Sequence, residues 1–101
     1  MKSTPGTMYA NAVLRDFFAG GLEQPQGEAE RLNREAVINI LSGLPAEDAQ
    51  VLKTVFSGEG DEMPPLKVAI RRTAYDLGRY EKDCWQLIRS ATKRFCRIRK
   101  L

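Results

Sequence analysis

Nine residues in the last third of the chain have the side chains and the spacing to hold a polyanion: Arg71, Arg72, Arg79, Tyr80, Lys82, Gln86, Arg89, Lys93 and Arg97. Arginine and lysine bond phosphate oxygens and the acceptor edge of guanine, and glutamine matches the donor and acceptor of adenine. Lys82, Gln86, Arg89, Lys93, Arg97 and Lys100 recur at intervals of three and four, which puts them on one side of a helix. Such a row offers binding rather than catalysis. The sequence has no histidine, which removes the commonest general base and the commonest metal ligand together. There is no CxxC pair either, so neither a zinc site nor any other cofactor is expected. Glu47 and Asp48 stand where a helix begins and read as charges complementing its dipole. No nucleophile–base pair can be assembled, and an enzyme is not expected.

The formal charge of +3 conceals a division. Residues 1–64 carry five Lys/Arg against ten Asp/Glu, whereas residues 65–101 carry eleven against three. After Trp85 there are six basic residues and no acid. A block of one sign marks either an interaction surface or a solvated tail. The 43% hydrophobic and 29% charged composition is that of a globular protein, and 101 residues suit one domain with a modest core.

Helical punctuation organises the chain. A first helix is expected over residues 7–19, with Tyr9, Ala12, Val13, Asp16, Phe17 and Phe18 on its inner stripe and Gly20-Gly21 as its stop. Phe17 and Phe18 are adjacent and cannot both face one core; the helix is expected to wrap the bundle. A second spans 28–41, with Ala29, Leu32, Ala36, Val37, Ile40 and Leu41 inward. Pro45 opens a third, whose inner face is Ala49, Leu52, Val55 and Phe56. Residues 58–65, GEGDEMPP, form the clearest loop. A fourth helix runs over 66–77 and a fifth over 81–99, whose seam is Cys84, Ile88, Ala91, Phe95 and Ile98. Cys84 and Cys96 share that helix about 18 Å apart, so they are read as free thiols, with Cys84 buried. Trp85 falls at the edge of the seam and is expected to pack there. The expected fold is all-α: one domain over 1–101, a compact bundle of about five helices, with an acidic helical part (1–64) and a basic helix-turn-helix part (65–101).

The turn carries that last expectation. Ala74 and Gly78 are four apart, a small residue inside one helix and a residue tolerant of positive φ after it. Leu77, Cys84 and Leu87 would lock the pair, although Thr73 and Arg79 stand where apolar residues are common. The other explanation is a purely structural helical hairpin. The order Leu44-Pro45, acidic helix, loop, Ala74-x-x-Leu77-Gly78, long basic helix resembles region four of bacterial sigma factors, and more closely the small sigma-like regulators of phages and mobile elements. The resemblance covers residues 38–101, and the loop at 58–65 is longer and more acidic than the family's connector. It implies a transcription regulator whose last helix reads promoter DNA, with Tyr80, Lys82, Gln86 and Arg89 toward bases and Arg71 and Arg72 near the backbone.

Double-stranded DNA is therefore the first candidate partner, with RNA open, and a second copy of the chain or a host protein such as RNA polymerase beside it. The competing class is a phage-type inhibitor of a host nucleic-acid-processing enzyme, in which the acidic part, above all Glu59, Asp61 and Glu62, mimics nucleic acid. No apolar run reaches the ~18 residues of a membrane span, and the amino terminus does not read as a secretory signal. A cytoplasmic location is expected.

Overall fold

The computed structural model describes residues 5–57 and 65–101. It comprises α1 (Pro5–Phe18), α2 (Glu28–Ser42), α3 (Ala46–Phe56), α4 (Leu66–Asp76) and α5 (Glu81–Arg99), with no strand among the described residues. The acidic loop lies outside the described residues except for Pro65, the residue before α4. None of α2 to α5 has a side-chain hydrogen bond at its N-cap. First-turn acids complement the free amides of α2 (Glu28, Glu30), α3 (Glu47, Asp48) and α5 (Glu81, Asp83).

The five helices converge on α5, which packs against each of the other four. Its inner residues Cys84, Ile88, Ala91, Thr92 and Phe95 are buried. They meet Ala10, Val13 and Leu14 of α1, Ala36, Val37 and Ile40 of α2, Val51, Leu52, Val55 and Phe56 of α3, and Ala69, Ile70 and Ala74 of α4 in one continuous core. Phe17 and Phe18 both pack on its edge, ring to ring at 5.3 Å and nearly perpendicular. No described helix is long and apolar enough to cross a membrane.

Several inner faces differ from the spacing-based expectation. In α1 the buried set is Ala10, Val13 and Leu14, so the helix is rotated away from the stripe through Tyr9, Ala12 and Asp16. Asp16 would have been buried without a partner, and the Tyr9 hydroxyl needs one, which places both outside the centre. In α2, Ala29 is exposed and Asn33 is buried. Asn33 Nδ2 donates to the Tyr9 hydroxyl at 2.8 Å, and Asn33 Oδ1 accepts from Arg99 Nε at 2.8 Å. One amide thus joins α1, α2 and α5, with the Tyr9 ring 6.2 Å from that of Phe95. In α3, Val51 is buried and Ala49 only half-buried. Ile98, expected in the α5 seam, is 41% exposed: the buried seam ends at Phe95, and the last turn meets α2 through Arg99 and Asn33 instead.

Phe95 and Ile98 therefore separate core from rim on one helix. Phe95→Ala should lower the unfolding free energy by about 3–5 kcal/mol, and Ile98→Ala by about 1 kcal/mol or less. Urea denaturation of the two variants checks this; equal losses would place the seam wrongly.

Candidate nucleic-acid interface

The connection between α4 and α5 is closed by two backbone hydrogen bonds. Gly78 N–H donates to Tyr75 O at 3.3 Å, and Arg79 N–H donates to Ala74 O at 2.8 Å. This nested pair ends a helix only if the residue between the bonds is left-handed, and Gly78 has φ +63°. Ala74 and Thr73 are buried beneath the turn, and Cys84 is buried on the facing side. Leu77, expected as an anchor, is exposed, while Leu87 packs on the core edge.

Arg79 replaces the apolar contact that commonly accompanies such a turn. Its Nη1 donates to Asp48 Oδ1 of α3 at 2.9 Å, with both side chains about 30% exposed or less. That hydrogen bond is the main reason the guanidinium pKa is raised above its ordinary value. Of the nine candidate residues Arg79 is thus engaged internally, holding the turn to α3. Arg71 Nε stands 3.7 Å from Glu81 Oε2 across the α4–α5 junction, in an exposed pair of little energetic weight.

The remaining candidates have no ion pair among the described residues. Lys82, Gln86, Arg89, Lys93 and Arg97 are exposed, and Lys100, which has none there either, continues their row. They lie on the side of α5 opposite Cys84, Ile88 and Phe95, over about 27 Å of helix. Trp85 packs at the core edge and carries the Arg89 guanidinium 5.8 Å from its ring centroid. Such a contact restrains the arginine without neutralising it. Arg72 is exposed on α4, and Tyr80 is 79% exposed at the N-cap of α5.

Two further arginines of α5 face the amino-terminal part. Arg94 Nη2 donates to Asn39 Oδ1 at 3.3 Å, and Arg99 is held by Asn33. Spacing alone could have separated these two from the outer row, since neither falls on the three-four repeat that starts at Lys82. Tyr75, 88% exposed on the outer side of α4 with Arg71 and Arg72, was also legible from that helix's period but does not belong to the basic row. No family model matches the chain, and neither a curated protein nor a solved structure is similar to it.

Two outcomes follow from the turn. In a double-mutant cycle, Asp48→Ala and Arg79→Ala should couple by about 0.5–1 kcal/mol, the scale of a partly exposed ion pair; additive losses would mean the contact does not hold the turn. Burial pushes the Cys84 thiol above its ordinary value, with Arg79 opposing more weakly. Because the raised value belongs to the folded state, the stabilising contribution is complete below the unfolded thiol value of about 8.5. It is lost as pH rises above that value. Thiol titration at pH 8 should label half-buried Cys96 before buried Cys84, and Cys84→Ser should flatten the alkaline loss of stability.

Proposed function

We propose that this chain is a small DNA-binding transcription regulator that lays the exposed side of α5 in a duplex groove, α4 and residues 77–80 forming the first half of a helix-turn-helix. The observation that carries the reading is the row Lys82, Arg89, Lys93, Arg97 and Lys100. These cations have no ion pair among the described residues and are turned outward by the burial of the opposite seam. A row of about 27 Å can meet several phosphates, which recur every ~3.4 Å of axis along each strand. The major groove of B-DNA admits a helix, whereas that of A-form RNA is too narrow for side chains to read, which favours DNA. Gln86 and Lys82 then stand toward base edges near the amino-terminal end, and Lys93 and Arg97 toward phosphates.

The regulatory part of the proposal rests on the resemblance to sigma region four. The order of elements is compatible with it: α3 after Leu44-Pro45, then α4 carrying Ala74 and ending at Gly78, then the long basic helix. An inhibitor that mimics nucleic acid would need its acids outward and unpaired. Asp48 is tied to Arg79, and Glu28 and Glu35 both pair with Arg31, whereas Asp16, Glu23, Glu30 and Glu47 have no ion pair among the described residues, and Glu59, Asp61 and Glu62 lie outside the described residues.

Mobility shifts on random duplex at increasing salt test the proposal. Affinity should fall steeply, and Lys93→Ala and Arg97→Ala should each lower the slope of log affinity against log salt by about 1. Arg71→Ala should change it less, since Glu81 already partners that residue. A salt-independent affinity, or one untouched by the paired Lys93/Arg97 substitution, would sink the reading.

A further inference from the structure

We infer that Tyr75 and Tyr80 form a stacking site for unpaired nucleobases at the corner between α4 and α5, so that the preferred ligand is a duplex interrupted by, or ending in, single-stranded nucleotides. The inference rests on the proposed DNA-binding role of α5 and narrows its ligand. Tyr75 (88%) and Tyr80 (79%) are the most exposed large hydrophobic residues among those described. Tyr75 lies in the last turn of α4 and Tyr80 at the N-cap of α5, so the turn closed by the bonds from Gly78 to Tyr75 and from Arg79 to Ala74 has one tyrosine on each flank. Neither ring has a hydrogen bond or aromatic partner among the described residues.

The charge at this corner differs from that of the outer row. Asp76, Glu81 and Asp83 are all the acids that follow residue 64, and all three lie here. Glu81 has Arg71 3.7 Å away in an exposed pair, while Asp76 and Asp83 are exposed and have no ion pair among the described residues. A phosphate favours the acid-free stretch beyond Trp85. A nucleobase is neutral, with a π face and donor edges, and suits the mixed corner. The tyrosines offer it a stacking surface, the two aspartates accept from amines such as cytosine N4, and Arg72 meets a flanking phosphate. Paired bases in a groove show only edges, so rings standing this far into solvent meet a base face only where a base is unpaired.

Binding is compared on three probes of equal length, a flush duplex, the same duplex with a central mismatched bubble, and a single strand, with 2-aminopurine at an unpaired position. The bubble should bind roughly five-fold or more tightly than the flush duplex. Bound 2-aminopurine should be quenched. Tyr75→Ala and Tyr80→Ala should each erase most of that advantage, while Tyr75→Phe and Tyr80→Phe keep it; circular dichroism checks that these surface variants fold. Equal affinity for flush and bubbled duplex, unmoved by the alanine variants, overturns the stacking site but leaves the α5 reading standing. Indifference of every probe to the paired Lys93/Arg97 substitution overturns the α5 reading, and with it the duplex-junction ligand. No shift on any probe at low salt overturns both.

Discussion

Burial of one side of α5 is the constraint on which the rest of the molecule depends. Cys84, Ile88, Ala91, Thr92 and Phe95 are the buried residues of the one helix that packs against all four others. Isolated helices as short as α1 to α4, of 11 to 15 residues, are marginal in water, and the stability of helices in proteins comes mainly from packing an apolar face. The same burial fixes the rotation of α5 about its axis. Once Phe95 and Ile88 point inward, Arg89, Lys93 and Arg97 have no direction left but solvent. Core and candidate interface are two sides of one periodicity.

Polar contacts then distribute the basic residues into two sets. Arg79, Arg94 and Arg99 are bound to Asp48, Asn39 and Asn33 and tie α5 and its entry turn to α2 and α3. The two parts of the sequence are therefore interleaved in space, and among the described residues Asp48 to Arg79 is where their charges meet directly. The two asparagines accept from guanidinium groups without opposing charge, which orients the arginines while leaving the net positive charge of this end intact.

What could be read in the sequence follows from how local each cause is. The α5 seam was legible from Cys84 to Phe95 because it repeats over about three turns, and the turns after α1, α2 and α4 because glycine and proline act on their own backbone. Val13 of α1 was placed inside correctly, but the rest of the face was misread because Ala10 and Leu14 compete with Tyr9, Ala12 and Asp16, and one helix cannot decide between two phases. The choice lies with Asn33 and Phe95, which are 24 and 86 positions along the chain from Tyr9. For the same reason Asn33 could not be placed inside: its two partners are distant in sequence, and a buried amide is tolerable only once they are present. The basic row was visible from spacing, but the engagement of Arg79 was not, since Asp48 lies 31 residues away.

The row also has a stability cost. Arg89 and Lys93, and Lys93 and Arg97, are like charges four apart, a spacing that destabilises a helix by about 0.2–0.5 kcal/mol per pair. Arg97 lies in the last turn, where the helix dipole offsets part of that cost. Arg89 and Lys93 lie mid-helix and gain nothing from it, since the dipole acts within the terminal turns. Arg89 is instead restrained over Trp85, and Lys93 has no partner among the described residues. Acids at alternate positions would have relieved the repulsion, as Glu35 does for Arg31 on α2. On α5 none occurs beyond Asp83. Packing of the seam on four helices supplies the stability that lets a self-repelling row persist, and a polyanion laid along it would remove the repulsion as it binds.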